Sequence, residues 1–331
     1  MFSVILGAGI AFLVTVSLGS KFIEYLQVRK FGQFVREEGP QTHLVKAGTP
    51  TMGGVLMLAG LLAALLVVAR PNGATFTALL LVSAVAGIGL YDDWQKISRR
   101  RSEGLSVRYK FLLLTLAVVL ADILALRYVG VTQNVVVPGW DTNLVLGPGV
   151  LGVALFSVLM LLVIVGATNA VNLTDGLDGL AAGAGSIALL AYTAIAFLER
   201  QYDLAIICGA MVGAIIGFLW YNAHPADVFM GDTGSLAIGG MLAAAAVLTK
   251  TEMLLPIIGG LFVVETLSVM IQYAFFKVTR RRVFKMAPIH HHFELSGWQE
   301  NKIVVRFWIF QAACASLGFV LYYFLLYNNR L

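Results

Sequence analysis

The sequence predicts an all-α integral membrane protein with about ten transmembrane helices. Three observations support this fold class: 59% of the 331 residues are hydrophobic, only 12% are Asp, Glu, Lys or Arg, and long apolar stretches alternate with short charged runs. Soluble domains carry about 25% charged residues, and a spanning helix needs about 20 apolar residues. A disordered chain and an ordinary soluble domain are therefore excluded. A β-barrel is disfavoured because its strands would alternate polar and apolar residues.

The apolar stretches define ten predicted spans separated by polar loops. Their approximate bounds are 2–20, 51–69, 75–91, 110–127, 149–167, 180–198, 203–220, 234–249, 254–275 and 306–327. The eighth span is short and rich in Gly and Ala, which suits close packing between helices. We expect residues 1–331 to form a single polytopic membrane domain.

Lysine and arginine residues predict the orientation of these spans. Of the 23 in the chain, 18 fall in the loops 20–50, 92–110 and 276–306. Because basic loops are retained on the cytoplasmic side of a membrane, we predict that these three loops are cytoplasmic and that both termini are outside. The formal net charge of +5 is then explained by membrane orientation, and a nucleic-acid-binding groove is not expected.

Two features outside the charged loops have structural interpretations. The stretch 128–148 contains two Val-rich runs around a turn at 138–143, which predicts a short outer-face β-hairpin between the fourth and fifth helices. Cys208 and Cys314 both lie within apolar stretches, where thiols are more typical of packing residues than of a disulfide. No spacing typical of a zinc site is present.

Acidic residues collect at the predicted cytoplasmic ends of the spans. Asp92 and Asp93 close the third span, and the loops 168–179 and 221–233 carry four aspartates but no Lys or Arg. Carboxylates at a membrane boundary are costly without a cation. Oxygen ligands favour Mg²⁺ or Mn²⁺ over zinc, so we predict a divalent metal site there.

The first two acidic motifs each permit two interpretations. In one interpretation, Asp92 and Asp93 form a catalytic or metal-linked pair, with Lys96 one helical turn further on to attract phosphate. In the other, the two acids only balance the charge of the basic residues that follow. In the segment 169–181, Asn and Asp residues recur every third position, close to one helical face. The glycines that follow allow a tight turn beside a ligand; the alternative is a polar turn between helices.

The other motifs also have a structural alternative. In the segment 229–235, Asp232 is a candidate Mg²⁺ ligand at a helix N-terminus that receives phosphate, or it is a helix cap. The consecutive His290, His291 and His292 cannot share one helical face, so they suit hydrogen bonding to phosphate, sugar or carboxylate better than zinc. Alternatively, they belong to an ordinary polar loop.

Two groups of residues remain beside these motifs. The segment 49–54 opens the second span, where Pro50 suits a helix start, and the nearby Lys46 could reach an anionic ligand. Glu265, Gln272 and Gln311 lie within predicted spans. We interpret them as helix–helix hydrogen-bonding residues in preference to catalytic ones.

Taken together, the motifs resemble those of the phospho-N-acetylmuramoyl-pentapeptide-transferases. These are bacterial membrane enzymes of the polyprenyl-phosphate N-acetylhexosamine-1-phosphate transferase superfamily. The matching segments are Thr-Pro-Thr-Met-Gly-Gly at 49–54, Asp-Asp-x-x-Lys at 92–96, the Asn/Asp/Gly motif at 169–181 and Phe-Met-Gly-Asp-Thr-Gly-Ser at 229–235. The Pro-x-His-His-His-x-Glu motif at 288–294 marks this branch against its N-acetylglucosamine relatives.

The resemblance implies a reaction and its partners. UDP-N-acetylmuramoyl-pentapeptide would give its phospho-sugar to undecaprenyl phosphate, releasing UMP and forming lipid I for peptidoglycan synthesis. It also implies Mg²⁺ as cofactor, a homodimer, the bacterial cytoplasmic membrane and an active site on the cytoplasmic face.

Site residues follow from the same resemblance. Catalytic roles are expected for Asp92, Asp93, Asp232 and His291, and metal ligation for Asp232 and Asn169. Substrate contacts are expected for Lys46, Thr51, Lys96, Asn172, Asp175, Gly176, Leu177, Asp178, Phe229, His290 and His292. Asp92 would take a proton from the lipid phosphate, although a phosphate monoester is already largely ionised near neutral pH. Direct attack is favoured over a covalent intermediate on Asp232, because that carboxylate is also the expected metal ligand.

The sequence leaves two alternative functions. A secondary transporter or cation channel would place its acids near the middle of the bilayer, whereas these acids cluster at span ends. An enzyme of the same superfamily acting on UDP-N-acetylglucosamine would lack the triple-histidine motif.

Overall fold

The computed structural model describes residues 1–29, 31–32, 48–69, 72–99, 101, 103–130, 132–139, 144–146 and 149–327. The helices in these ranges are α1 (Phe2–Val28), α2 (Gly54–Val68), α3 (Gly73–Ser98), α4 (Val107–Leu124), α5 (Gly149–Thr174), α6 (Leu180–Leu198), α7 (Tyr202–Asn222), α8 (Gly231–Leu248), α9 (Leu255–Ile258), α10 (Gly260–Thr279), α11 (Ile289–Glu294) and α12 (Glu300–Tyr322). Short π-helical turns extend α4 and α12. Between α4 and α5, strand β1 (Asn134–Val135) pairs antiparallel with β2 (Leu144–Val145).

Eight helices in the described ranges are long and apolar enough to cross a membrane, so the chain is a multi-pass membrane protein. They are α1, α3, α5, α6, α7, α8, α10 and α12. Of the other predicted spans, α2 has only 15 residues, and α4 carries Arg108, Lys110 and Asp122. The count of ten spans, the side of the termini and the outer-face position of the strand pair stay predictions.

Helix α8 lies at the centre of the bundle, and every residue from Thr233 to Leu248 is buried. Its glycines allow three neighbours to approach closely. A Cβ at Gly234 would overlap α2, one at Gly239 would overlap the α5 backbone, and one at Gly240 would overlap α3. Small residues let helix backbones come together in this way, so the close packing predicted for the eighth span is confirmed.

Three helix boundaries differ from the prediction in ways that affect the motifs. Helix α3 continues to Ser98 and α5 to Thr174, so the Asp92 pair and Asn172 lie on helices and not in loops. Helix α12 begins at Glu300, earlier than the apolar stretch. Hydropathy locates the apolar part of a helix, while its polar last turns are stabilised by packing against neighbouring helices.

The ninth predicted span, 254–275, is interrupted near its start: Gly259 separates α9 from α10, and α10 is the part that is long and apolar enough to cross a membrane. Gln311 of α12 bridges the break: its amide donates to the Ile258 carbonyl at 2.7 Å and accepts from the Leu261 N–H at 3.2 Å. Backbone groups freed inside a bundle need such partners. The helix–helix hydrogen bonding predicted for Gln311 is thereby confirmed.

Candidate active site

The N-terminus of α8 meets the C-terminal half of α3, and a glycine permits the approach. A Cβ at Gly89 would overlap the Asp232 carbonyl. One turn along α3, the Asp93 carboxylate accepts the backbone N–H of Asp232 at 3.0 Å and that of Thr233 at 2.9 Å. It also accepts the Thr233 hydroxyl at 2.7 Å. Asp93 therefore caps α8 from a neighbouring helix and satisfies N–H groups that a helix start leaves unpaired.

Asp232 lies between two lysines. Its Oδ1 is 2.9 Å from Lys96 Nζ, and its Oδ2 is 2.5 Å from Lys110 Nζ. Asn172 of α5 donates from Nδ2 to Asp232 Oδ1 at 3.2 Å and to Ser235 Oγ at 2.9 Å. Helices α3, α4 and α5 thus each contribute a donor to one carboxylate at the start of α8.

Lys96 also joins Asp92 to this group. Its Nζ is 2.6 Å from Asp92 Oδ2, and Asp92 Oδ1 accepts the Leu105 N–H at 2.7 Å. Oxygen atoms of Asp92, Asp93 and Asp232 all lie within 4.8 Å of one another. Three carboxylates face two ammonium groups, so the cluster favours a further cation.

The donor set fits Mg²⁺, which prefers carboxylate and other oxygen ligands. The Asp93 carboxylate already accepts hydrogen bonds from the first turn of α8. Asp92 and Asp232 are therefore the carboxylates that could exchange a lysine for a metal ion. Asn169, the other predicted ligand, donates from Nδ2 to the Val165 carbonyl of its own helix at 2.8 Å. Asn172 is the amide that the fold brings to Asp232, and metal ligation by Asn169 stays a prediction without a contact to support it.

The α5–α6 turn carries Asp175 beside this cluster. Burial raises the pKa of Asp175 to about 8, and repulsion from Asp232, Asp93 and Asp178 adds to the increase. A cation bound at the cluster would oppose that repulsion. The turn closes at Gly179, whose φ of 77° suits glycine.

Asp178 and Leu177, both predicted substrate contacts, are buried in the same turn. The Asp178 carboxylate is 2.9 Å from His224 Nδ1 and accepts the Ala226 N–H at 3.2 Å, while its backbone N–H donates to Glu300 Oε1 at 2.8 Å. These hydrogen bonds join the turn to the α7–α8 loop and to α12. The Asp178 side chain therefore organises the turn in this structure.

The segment 49–54 pairs with the loop before α8. Phe229 N–H donates to the Pro50 carbonyl at 2.8 Å, and the N–H groups of Gly53 and Gly54 donate to the carbonyls of Phe229 and Met230. Thr51 is buried beside Gly231. Two motifs far apart in sequence therefore form one wall of the site, with Phe229 half-buried on it. Lys46, predicted to bind substrate, lies outside the described residues.

The three histidines of α11 point to different partners. His290 is fully buried, with Nδ1 at 3.1 Å from Glu265 Oε2. His291 Nδ1 is 2.6 Å from Glu294 Oε2, and His292 Nδ1 accepts the Lys285 N–H at 3.1 Å. Their divergence agrees with the expectation that they do not form one three-histidine metal site.

The structure thus brings Asp92, Asp93, Lys96, Asn172 and Asp232 together, as the motifs suggested. The sequence did not single out Lys110 as a site residue, and it placed Thr233 and Ser235 in the motif 229–235 only as possible helix caps. Lys110 had a usable signal, because it is the last basic residue before the apolar run of α4 and so lies at the predicted membrane boundary.

Comparison with known proteins gives consistent results along the chain. A sequence profile of glycosyl transferase family 4 matches residues 75–250, and phospho-N-acetylmuramoyl-pentapeptide-transferase signature 1 matches residues 46–58. The phospho-N-acetylmuramoyl-pentapeptide-transferase of Rubrobacter xylanophilus is 79% identical over 329 residues, covering 99% of this chain and 100% of that protein. Proteins of the same name from Geobacillus kaustophilus and Bacillus mycoides are 48% and 47% identical over 96% and 95% of this chain, and 97% and 94% of their own lengths.

Proposed function

The chain belongs to the phospho-N-acetylmuramoyl-pentapeptide-transferases, and from this premise we propose that it transfers phospho-N-acetylmuramoyl-pentapeptide from its UDP carrier to undecaprenyl phosphate. The products are lipid I and UMP, and the reaction serves peptidoglycan synthesis in the bacterial cytoplasmic membrane. One observation carries the proposal: Asp232 at the start of α8 is held between Lys96 and Lys110, beside Asp92. This is a cluster of charges suited to two phosphate groups and a divalent cation.

The position of the cluster suits one soluble and one lipid substrate. The polar last turn of α3 and the first turn of α8 lie next to the basic loops of the predicted cytoplasmic side. A lipid phosphate at the membrane surface and a nucleotide diphosphate from solution could both reach such a site. Basic loops attract anionic groups of both kinds.

Phosphoryl transfer depends mainly on positioning and charge neutralisation. Lys96 and Lys110 bind phosphate oxygens when the substrates enter, and Asp232 would then be free to hold Mg²⁺ beside Asp92. The ion would supply positive charge that neutralises the diphosphate and the departing UMP. Asp92 accepts any proton left on the lipid phosphate, and the lipid phosphate attacks directly.

The surrounding motifs bind the rest of the donor substrate. Asn172, Asp175 and His291 face the diphosphate and the sugar-peptide. Gly176, Leu177, Asp178 and Phe229 form the uridine site, in which the Phe229 ring stacks on the base. Thr51, His292 and Lys46 complete the substrate-binding set, and the predicted contribution of His290, which is fully buried, is made through the turn at Gly176 against which it packs.

The same proposal covers architecture and assembly. Residues 1–331 form one polytopic domain with ten spans, both termini outside and an outer-face hairpin between α4 and α5. The protein works as a homodimer. The long apolar helices and the excess of basic residues in three loops support this arrangement.

A direct assay tests the reaction. Purified protein is incubated with undecaprenyl phosphate, Mg²⁺ and either UDP-N-acetylmuramoyl-pentapeptide or UDP-N-acetylglucosamine, and UMP is measured with and without EDTA. UMP release with the muramoyl substrate alone, abolished by EDTA, is the expected result. Release from the N-acetylglucosamine substrate would assign the protein to the other branch. Absence of UMP with both would favour a transporter.

A further inference from the structure

Glu265 of α10 and His290 of α11 lie side by side inside the bundle. Both side chains are fully buried, and Glu265 Oε2 lies 3.1 Å from His290 Nδ1. None of the four side-chain nitrogen and oxygen atoms of this pair has a hydrogen-bond partner among the described residues, so the 3.1 Å approach of the two side chains is the polar contact that the pair makes there. Ionisable groups within a membrane bundle are costly and are typically functional when present.

The other edge of the His290 ring faces the α5–α6 turn. A Cβ at Gly176 would overlap His290 Nε2, so the imidazole lies directly against the backbone of this glycine. Asp175 precedes Gly176 and is close enough to Asp232 and Asp93 for their charges to raise its pKa. The orientation of the His290 ring therefore determines how closely this acidic turn can approach α11.

The His290 ring also packs against its neighbour in sequence. The ring centroids of His290 and His291 are 4.1 Å apart with an angle of 61° between their planes. Such an edge-to-face contact is sensitive to rotation of either ring. A residue that fixes His290 therefore also restricts His291.

Stability alone does not require a carboxylate at this position. A buried ion pair can be replaced by well-packed apolar residues with little loss of stability, because desolvation offsets the attraction between the charges. Gln311 illustrates the structural role that a buried polar residue can have, since both ends of its amide are used by the backbone at the α9–α10 break. Glu265 has no such contact with the backbone break.

We propose that Glu265 is a positioning residue of the transferase: it holds the His290 ring so that Nε2 faces Gly176, and it thereby fixes both the Asp175 turn and the His291 ring. The proposal rests on the function proposed above. The Glu265 carboxylate faces Nδ1 of the His290 ring, which leaves Nε2 as the ring nitrogen that faces the turn. Glu265 does not touch substrate and acts through the two histidines.

The test compares substitutions that separate geometry from charge. Glu265→Gln keeps the side-chain length and an oxygen acceptor but removes the charge. Glu265→Asp keeps the charge on a side chain that is one methylene shorter. Glu265→Leu removes both the charge and the oxygen acceptor. Gln311→Leu is the matched control, because it removes a buried polar side chain that contacts neither histidine. UMP release is measured per amount of folded protein, and folding is followed by thermal unfolding in detergent.

We expect Glu265→Leu and Glu265→Asp to lower turnover about tenfold or more, since the buried carboxylate that contacts His290 is lost or displaced. Glu265→Gln should keep most of the turnover, and Gln311→Leu should lower the unfolding temperature without changing turnover per folded molecule. Adding His291→Ala to Glu265→Leu should cost little beyond His291→Ala alone, because residues that act as a unit are not additive. If Glu265→Leu does not fold, the comparison of Glu265→Asp with Glu265→Gln still separates a requirement for side-chain geometry from a requirement for charge.

Two results would overturn the proposal. One is turnover in Glu265→Asp equal to wild type while Glu265→Gln is inactive, which would make charge alone the requirement. The other is full additivity of Glu265→Asp with His291→Ala.

A measurement that does not depend on catalysis tests the positioning role of Glu265 separately from the proposed function. Nitrogen NMR of ¹⁵N-histidine-labelled protein should show a solvent-protected proton on Nδ1 of His290 that disappears in Glu265→Leu, or in Glu265→Asp if the former does not fold. If the wild-type protein shows this proton but releases no UMP, the proposed reaction is contradicted while the Glu265–His290 contact is still supported. An unprotected Nδ1 in wild type would contradict the positioning role.

Discussion

Asp93 of α3 accepts both the backbone N–H and the hydroxyl of Thr233 in α8, at 2.9 and 2.7 Å. This contact joins the acid pair of one helix to the first turn of another and places Asp232 beside Lys96. Because its oxygens are already occupied by α8, we infer that Asp93 anchors that helix. Proton transfer is left to its neighbour Asp92.

Replacing Asp93 should therefore affect folding as well as activity. Asp93→Ala leaves two N–H groups and a hydroxyl without a buried acceptor, so we expect the free energy of unfolding to fall by about 1–3 kcal/mol. Asp93→Asn retains one oxygen and should have a smaller effect. Chemical denaturation in detergent measures the difference, and an unchanged midpoint for Asp93→Ala would contradict the capping role.

Asp232→Asn should keep the fold and lose nearly all transfer. The substitution removes the charge that Lys96 and Lys110 share, and it weakens the expected metal site. We expect turnover to fall about 100-fold or more, with no recovery at high Mg²⁺. Asp203→Asn is the control, since Asp203 pairs with Asn72 at the opposite end of α3. Near-normal UMP release from Asp232→Asn would remove this residue from the metal site.

Gly176→Ala should disturb the site through His290. The added methyl would overlap Nε2 of that ring, and a displacement of about 1 Å can lower turnover about 100-fold. Gly166→Ala on α5 is a suitable control because nothing lies within 4 Å of its position for a Cβ. Equal UMP release by the two variants would show that the turn accommodates a side chain.

Glu252 should make stability depend on pH. It lies in the turn after α8, where burial raises its pKa to about 7, while the charge of Lys250 acts in the opposite direction. A carboxyl group whose folded pKa exceeds its ordinary 4.5 favours the folded state most at low pH, and this contribution is lost as pH rises through about 7. Glu252→Gln should flatten the decline in unfolding temperature between pH 5 and 8. An identical decline in both proteins would refute this.

Labelling from one side of the membrane should test the orientation. With Cys208 and Cys314 replaced by serine, single cysteines are introduced at the exposed positions Arg281 and Met253. A maleimide that does not cross membranes should label Met253→Cys in intact cells and Arg281→Cys only after lysis. Labelling of both from the same side would contradict the predicted topology.

The sequence by itself determined the membrane character, the family and most residues of the candidate site. Hydropathy is a local property, so long apolar runs predict spanning helices without knowledge of their neighbours. The packing of the eighth span could also be predicted, because a helix rich in Gly and Ala suits close contact in lipid. The motif residues Asp92, Lys96 and Asp232 were identified because their chemical types suit phosphate and metal.

Only the tertiary structure decided which partner, and therefore which role, each of those residues has. Asp93 and Thr233 are 140 residues apart, and Lys110 reaches Asp232 across 122 residues. Which of two similar side chains meets a partner depends on the rotation and depth of each packed helix, and local composition does not encode these. Close packing around the glycines of α8 selects one arrangement, and in it a neighbouring acid becomes a helix cap and Glu265 becomes the partner of a histidine.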